Sequence, residues 1–295
     1  MQALPTMSLS TLVRAALAIG FLLAGVARAA GPQTVYFPSA DGKTELVGYL
    51  YSPGSGTHPA VVLLHGRAGP YSSHVNAECT TVARGVSSPC SAATLSKRHQ
   101  MWAEYWVGHG YAALLVDSFG PRGRAHGFGR GTHDDPAREA VNERSVRPLD
   151  AEGALAWLVV QPGVNPSRVM LQGWSNGGST VLNTVHRQAE AGRKSPRFRA
   201  ALAFYPGCGP KALLARKLRS DLPLLMLLGS NDEEVNPSTC REVAERSTPA
   251  VPVQWYDGAT HDFDDPGKTR QGVPANRSAQ ADALRRASAF FDAAP

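Results

Sequence analysis

After residue 29 the sequence lacks any apolar segment long enough to cross a bilayer as a helix. The N-terminal candidate at residues 15–27 has 13 residues, whereas a helical membrane span needs about 20. It follows Arg14 and ends at Ala27-Arg28-Ala29, whose small residues are typical of a signal peptidase site. We therefore predict a cleaved secretory signal peptide over residues 1–29, a secreted or periplasmic mature protein and no membrane partner after cleavage. A retained anchor is the alternative interpretation, and Met7 could equally be the start.

The sequence also lacks internal repeats, low-complexity tracts and linker-like segments, which argues against solenoid and repeat-array architectures. Hydrophobic residues make up 43% and charged residues 18% of the 295-residue chain. This balance is ordinary for a globular protein and is sufficient for a large buried core. Because no linker divides the chain, we predict a single domain over residues 30–295.

A strong charge of either sign is missing as well. The formal net charge is +6, and loss of Arg14 and Arg28 with the signal peptide lowers it to +4. Arginines concentrate between Arg122 and Arg147, but acidic residues are interleaved with them: Asp134, Asp135, Glu139 and Glu143. Such interspersed charge is typical of a solvated surface, so we do not expect nucleic acid as a partner. Nothing in the sequence indicates an oligomeric state.

The four cysteines show no Cys-x-x-Cys spacing and no His-rich neighbourhood, so they do not predict a zinc site. An even number of cysteines in an exported protein favours disulfides. Of the three possible pairings we prefer Cys79 with Cys90, which closes a short loop, and Cys208 with Cys240, which joins segments that each follow a predicted core strand. Some loop residues have suitable ligand chemistry but no recognised metal spacing: His126, His133, Asp134 and Asp135. We expect neither a metal nor a cofactor.

Short apolar runs alternate with amphipathic segments along the chain. Two opening runs, at residues 35–37 and 46–51, are joined through Asp41-Gly42 and predict an antiparallel pair. Later runs are almost continuously apolar, as in strands buried on both faces: residues 60–64, 112–116, 169–172, 200–204, 222–228 and 253–256. Helical patterns alternate with them: residues 96–109, 147–160, 178–191, 240–246 and 279–294. The alternation predicts an α/β fold with a mostly parallel sheet and helices on both faces. Two long irregular segments, residues 67–96 and 118–146, follow strands and are expected to be binding loops.

The segment Gly173-Trp174-Ser175-Asn176-Gly177 has the pattern Gly-x-Ser-x-Gly between a predicted strand and a predicted helix. In a nucleophile elbow the serine lies in a strained turn, which requires small residues two positions before and after it. The N-terminus of the helix also directs N–H groups and a positive partial charge at an oxyanion formed there. We therefore predict that Ser175 is a nucleophile. The alternative is a glycine-rich turn that serves packing alone.

A serine nucleophile needs a histidine base and a carboxylate that orients the base, and in this architecture both follow the serine, the acid first. His186 lies about three turns down the helix that follows Ser175 and is interpreted as a surface residue. His261 follows the last predicted strand, where we expect the base. For the acid we prefer Asp232, the first carboxylate after the predicted strand at residues 222–228. The alternatives are Glu233, Glu234, Asp257 and Asp262.

The oxyanion hole requires two backbone N–H donors. One candidate is Asn176, the residue after the nucleophile, and the second should come from the loop after an early central strand. The run at residues 60–64 leads into His65-Gly66-Arg67, and the Arg67 N–H is the second candidate. We interpret His65 as a structural residue that fixes this loop and does not titrate in catalysis.

Five separated motifs carry a resemblance to a known family: HGRAGPYS, YAALLVDSFGPRG, GWSNGG, GSNDEEVNP and YDGATHDF. In this order they resemble the dienelactone hydrolase family of the α/β-hydrolase superfamily, over roughly residues 45 to 292. The resemblance implies an eight-stranded, mostly parallel sheet and a triad of Ser175, Asp232 and His261. The founding members carry a cysteine at the nucleophile position, so for this serine-bearing chain it implies an ester or lactone hydrolase and no narrower substrate. The elbow alone is also similar to that of secreted cutinase-like polyester hydrolases.

Two residues are candidates for substrate binding, each with a structural alternative. Trp174 could line the acyl pocket or pack under the elbow, and Arg122 could bind an acidic substrate group or, as we favour, pair with a loop carboxylate. Arg147 and Asp150 are interpreted as packing and capping residues. The sequence thus predicts a serine hydrolase that cleaves small-molecule carboxylic esters or lactones through an acyl-enzyme. A polyester hydrolase or peptidase on the same fold and a non-catalytic binding protein are the alternatives.

Overall fold

The computed structural model describes residues 1–2, 31–192, 196–215 and 217–295. The predicted signal peptide, apart from its first two residues, lies outside the described residues. Among the helices of the described ranges, none is both long and apolar enough to span a membrane.

Eight strands form one sheet and are numbered in chain order: β1 (Gln33–Pro38), β2 (Glu45–Tyr51), β3 (His58–Leu64), β4 (Ala112–Asp117), β5 (Val164–Trp174), β6 (Ala201–Phe204), β7 (Leu224–Gly229) and β8 (Val253–Tyr256). Their spatial order is β1-β2-β4-β3-β5-β6-β7-β8. β2 pairs antiparallel with both β1 and β4, and all other neighbouring strands are parallel. The sheet is therefore mixed and mostly parallel, and the predicted eight-stranded α/β fold is confirmed.

In the part of the chain that the structure describes, six helices pack around the sheet: α1 (Lys97–Gly108), α2 (Arg147–Leu158), α3 (Asn176–Glu190), α4 (Pro237–Arg246), α5 (Lys268–Gln271) and α6 (Pro274–Asp292). Short 3₁₀ turns lie in the long loops: Asn76–Glu78, Ala92–Thr94, Gly120–Arg122 and Pro136–Val141. The five predicted helices are confirmed, although α4 and α6 begin a few residues earlier than expected. Each begins with a proline, whose fixed backbone angle suits the first helical position.

The core is divided into two layers by the sheet. Successive residues of β3 alternate between them, with Val61 and Leu63 in one cluster and Ala60, Val62 and Leu64 in the other, because side chains alternate across a strand. The first layer contains the tryptophans of α1 and the aromatic end of α6, and the second contains the apolar faces of α2, α3 and α4. The arrangement leaves the carboxyl ends of the parallel strands at one edge, where the long loops meet.

Two disulfides connect the loops of this edge. Cys79 is joined to Cys90 in the segment between β3 and α1, and Cys208, after β6, is joined to Cys240 in α4. These are the two pairings preferred from the sequence. Disulfides persist mainly in oxidising compartments, so their presence is compatible with an extracellular protein.

Candidate active site

Ser175 lies in a tight turn between β5 and α3. Its backbone angles are φ 52° and ψ −116°, a region that residues other than glycine rarely adopt and that is typical of functional strain. The Ser175 N–H donates to the Phe204 carbonyl oxygen at 2.9 Å, which ties the turn to the end of β6. The serine therefore has the strained backbone of a nucleophile elbow.

Three glycines around Ser175 allow neighbouring backbones to approach closely. A Cβ atom on Gly177 would lie 2.1 Å from the Leu64 carbonyl oxygen, and one on Gly173 would lie 2.3 Å from the Gly177 carbonyl oxygen. A Cβ on Gly178 would lie 2.8 Å from the Phe204 carbonyl oxygen. Because these contacts are to main-chain atoms, a larger residue could be accommodated only if the backbone moved.

Asp232 and His261, the predicted acid and base, are in direct contact. His261 Nδ1 donates to Asp232 Oδ2 at 2.8 Å, and both side chains are almost completely buried. Asp232 Oδ1 accepts from the backbone N–H groups of Glu234 and Val235 at 2.8 and 2.9 Å. These bonds fix the carboxylate, and the carboxylate in turn fixes the orientation of the imidazole.

The pKa of His261 reflects opposing influences. Burial acts most strongly and lowers it, but the hydrogen bond to Asp232 and the negative charges of Asp262, Asp232 and Glu234 together outweigh burial, so the pKa is raised above its ordinary value. The Tyr205 ring packs against the imidazole with 4.6 Å between the ring centroids. The surroundings therefore stabilise the protonated form of His261 and make its neutral form more basic than a free imidazole.

Ser175 and His261 are not joined by a hydrogen bond in this structure, although both residues are described. His261 Nε2 lies 3.8 Å from Glu234 Oε2, and Glu234 lines the same cavity as Ser175. Hydrogen bonds between catalytic groups are often long in sites without substrate and shorten when it binds. The structure thus brings together Asp232 and His261, the predicted acid and base, and Glu234 connects this pair with the cavity that Ser175 lines.

The two candidate oxyanion donors, Arg67 and Asn176, line the cavity together with Ser175. The loop after β3 approaches the elbow so closely that a Cβ on Gly66 would lie 3.6 Å from the Ser175 Cβ. Asn176 is the first residue of α3, and N–H groups at this position have no partner within the helix. The Arg67 side chain donates to both carboxylate oxygens of Glu234, which holds the loop in place.

Arg147, interpreted from the sequence as a packing residue, contacts both segments that carry the candidate oxyanion donors, the loop after β3 and the start of α3. Its guanidinium is fully buried and donates from Nη2 to the His65 carbonyl oxygen at 2.8 Å and from Nη1 to Asn176 Oδ1. Burial lowers the pKa of Arg147 to about 10. These contacts join residues far apart in the chain, and the sequence offered no signal for them beyond the position of Arg147 at the start of a helix.

His65 has the neutral, structural form expected from the sequence. Burial, followed by the positive charge of Arg147, lowers the pKa of His65 well below its ordinary value. Its Nδ1–H donates to the Gly66 carbonyl oxygen at 2.7 Å, and its Nε2 accepts from the Ser118 N–H at 3.3 Å. Because both ring nitrogens are engaged with the backbone, His65 fixes the loop that carries Arg67.

The two tentative substrate-binding residues lie elsewhere in the structure. Trp174 is fully buried beneath the elbow, and its Nε1–H donates to Asp264 Oδ2 at 2.8 Å. Arg122 forms a two-pronged pair with Asp150, with both bonds at 2.8 Å, and also donates to Asp41. Neither residue lines the cavity that contains Ser175, and both occupy the positions of their structural alternatives.

The carboxylates beside Asp232 have roles that the sequence did not indicate. Glu233 accepts the His261 backbone N–H at 2.9 Å, and Glu234 pairs with both Arg67 and Arg130 across the cavity. Within the described residues, Glu234, His261 and Asp262 place ligand-type atoms within 4.8 Å of one another. Asp262 already pairs with Arg98 and Arg270, and His261 with Asp232. The ligand-type atoms of this group therefore have charged side chains of the protein as partners.

The sheet, the elbow after β5 and the Asp–His pair in the loops after β7 and β8 are those of an α/β-hydrolase. The model of the dienelactone hydrolase family matches residues 94–294, and the chain belongs to this family. No curated protein matches the sequence.

Solved structures show the same fold at low sequence identity. A dienelactone hydrolase-like promiscuous phosphotriesterase from metagenomic libraries has 21% identity and a TM-score of 0.60, covering 88% of this chain and 97% of its own. A thermophilic esterase from the planctomycete Thermogutta terrifontis has 19% identity and a TM-score of 0.56, with coverages of 86% and 91%. A puromycin-hydrolysing peptidase of Mycobacterium tuberculosis has 17% identity and a TM-score of 0.59, and the match covers 90% of this chain but 40% of the peptidase.

Proposed function

We propose that this protein is an exported serine hydrolase that cleaves carboxylic esters or lactones through an acyl-enzyme. The observation that carries the proposal is the 2.8 Å hydrogen bond between His261 and Asp232, beside a cavity lined by a serine in a strained elbow. Family membership supports hydrolase chemistry, and the esterase among the similar structures supports an ester as the substrate.

In the proposed reaction, His261 Nε2 accepts the proton of Ser175 Oγ as the oxygen attacks the ester carbonyl carbon. The N–H groups of Arg67 and Asn176 stabilise the oxyanion that forms. When the intermediate collapses, the C–O bond to the alcohol breaks and His261 transfers its proton to the departing oxygen. A water molecule, deprotonated by His261, then attacks the acyl-enzyme, which releases the acid and restores Ser175. No cofactor takes part in these steps.

The second candidate is a peptidase on the same fold, which the similarity to the puromycin-hydrolysing peptidase supports. The same triad would attack an amide carbonyl, and His261 would then protonate a leaving nitrogen. Parallel assays with p-nitrophenyl acetate and aminoacyl p-nitroanilides distinguish the two, because a peptidase would turn over the anilides at a comparable or higher rate.

The proposal is tested with Ser175→Ala. Loss of the nucleophile should lower kcat for p-nitrophenyl acetate by on the order of 10³-fold or more, and a fluorophosphonate should add mass to the wild type but not to the variant. Ser238→Ala, a change at an exposed position of α4, is the matched control and should keep both properties. Wild-type turnover or labelling of Ser175→Ala would show that the nucleophile is another residue.

A further inference from the structure

The cavity that reaches Ser175 has a polar lining. Its volume is about 140 Å³, and its charged side chains come from the three loops that follow β3, β4 and β7: Arg67, Arg130, Arg138, Glu143, Glu233 and Glu234. Ala212 and Val235 are the apolar side chains of the lining, and the aliphatic stems of the charged residues supply further carbon surface. Binding of a hydrocarbon chain or an aromatic acyl group depends on apolar contact, so this cavity suits a small polar group better.

The charges of the lining balance one another. Three arginines face three glutamates, and Arg67 and Arg130 both pair with Glu234 at 2.9 and 2.7 Å. A cavity with no net charge provides no overall attraction for either a carboxylate or an ammonium group, because attraction to one set of side chains is offset by repulsion from the other. The balance therefore favours a neutral ligand group.

One pair in the lining, Arg138 and Glu143, has incomplete hydrogen bonding. The two side chains are only 9% and 7% exposed, yet Arg138 Nη2 and Glu143 Oε1 are 3.9 Å apart, beyond hydrogen-bond distance. Nη1 of Arg138 is buried and has no hydrogen-bond partner among the described residues. The Phe128 ring, 5.5 Å from Arg138 Cζ, supplies a cation–π contact but no acceptor.

Two other ion pairs of the protein are two-pronged by comparison. Arg67 donates to both oxygens of Glu234, and Arg122 does the same with Asp150. Leaving buried charged groups without their hydrogen bonds costs free energy, so such groups in a native structure require an explanation. At a cavity that also contains Ser175, the explanation is a substrate group that offers an acceptor to Arg138 and a donor to Glu143.

We propose that Arg138 and Glu143 form a subsite for a neutral, hydroxylated group of the substrate, so that the enzyme prefers esters bearing a hydroxyl close to the scissile bond. A hydroxyl accepts from the guanidinium through its lone pairs and donates its proton to the carboxylate. A carboxylate would accept hydrogen bonds from Arg138 but would be repelled by Glu143. An ammonium group would donate to Glu143 but would be repelled by Arg138. This inference rests on the proposed serine hydrolase function and specifies its substrate class.

The wild-type enzyme provides the first test, with matched esters of similar size. On the alcohol side, 2-hydroxyethyl acetate is compared with n-propyl acetate, and on the acid side, methyl 3-hydroxypropanoate is compared with methyl butanoate. The pair in which the hydroxyl raises kcat/KM, by about tenfold for one charge-assisted hydrogen bond, identifies the side that the subsite binds. Equal rates within both pairs would overturn the proposal, as would a higher kcat/KM for acetoxyacetate or acetylcholine than for either hydroxylated ester.

Substitution of the pair provides the second test. In Arg138→Gln and Glu143→Gln the ratio of kcat/KM between the hydroxylated ester and its apolar partner should fall about tenfold, towards one. Arg246→Gln, which removes an exposed charge of α4, is the matched control and should keep the wild-type ratio. An unchanged ratio in the two folded subsite variants would overturn the assignment. If both variants fail to fold, the wild-type comparison decides alone.

Failure of this inference can be distinguished from failure of the proposed function. If the wild type hydrolyses none of the esters and Ser175 is not labelled by a fluorophosphonate, the proposed function is wrong. If it hydrolyses the plain esters through Ser175 without preference for a hydroxyl, the hydrolase function stands and the subsite is wrong.

Discussion

The candidate triad and the charged wall of the cavity beside it are held in place in different ways. The candidate triad, Ser175, Asp232 and His261, is positioned by main-chain atoms: the glycine contacts of the elbow and the two backbone N–H groups bound to Asp232. The charged wall, formed by Arg138 and Glu143, lies in the loop after β4 and contains a buried Arg138 Nη1 without a hydrogen-bond partner among the described residues. The difference is between a candidate triad positioned by main-chain contacts and a pair of charged side chains 3.9 Å apart.

The strongest test of the candidate triad is the substitution Asp232→Asn. An amide at this position can donate to His261 Nδ1 and so stabilise the wrong tautomer of the imidazole, which should lower kcat by on the order of 10⁴-fold. The expected KM is nearly unchanged, because Asp232 does not line the cavity. Steady-state kinetics with p-nitrophenyl acetate check this, and a loss below tenfold would transfer the role of acid to another carboxylate, with Glu234 as the first to examine.

A smaller effect is expected from Gly177→Ala, which adds a Cβ 2.1 Å from the Leu64 carbonyl oxygen. Because the neighbour is main chain, relief requires movement of β3 or of the elbow, and the free energy of unfolding should fall by about 3 kcal/mol. Gly108→Ala is the matched control, since a Cβ there meets nothing within 4 Å and alanine should raise helix stability by about 0.5 kcal/mol. Urea denaturation measures both, and equal stabilities of the two variants would contradict the steric account.

Arg147 contacts both segments that carry the candidate oxyanion donors, and its substitution should lower kcat more than it changes KM. Arg147→Lys keeps the positive charge but cannot contact both the His65 carbonyl oxygen and Asn176 Oδ1, so kcat should fall about tenfold, less than for loss of an oxyanion donor itself. Affinity for an alkyl boronic acid, which forms a tetrahedral adduct with the serine, should fall in parallel. A rise in KM at constant kcat would place Arg147 outside oxyanion positioning.

The smallest expected effect concerns pH. His261 acts as a base only when neutral, and its raised pKa means that kcat/KM should decline as pH falls through a value above the ordinary histidine pKa of 6.5. Asp262→Asn removes one of the negative charges that raise this pKa, so the acid limb of the profile should shift to lower pH. Asn also tolerates the positive φ of 57° at this position. A pH profile unchanged by Asp262→Asn would show that another group controls the acid limb.

Local sequence patterns predicted most of the fold and the order of the candidate triad. Continuous apolar runs identified the buried strands, and glycine spacing identified the elbow, because both depend on neighbours in the chain. The first residues of β5, from Val164, were not predicted because the four residues after Val164 are polar or proline and at least partly exposed, and α5 was missed because four residues are too short for a helical period. The contacts of Arg147 with His65 and Asn176 could not be predicted, since they join segments that meet only after folding.

The close packing of the elbow involves its backbone and not the side chain of Ser175. The three glycines adjust the main chain to its surroundings, and none of the close contacts that they relieve involves the Ser175 hydroxyl. Exchange of the Ser175 side chain for one of similar size, such as cysteine, should therefore leave the packing of the elbow unchanged. A variant at this position can test the chemistry of the site without disturbing the backbone around it.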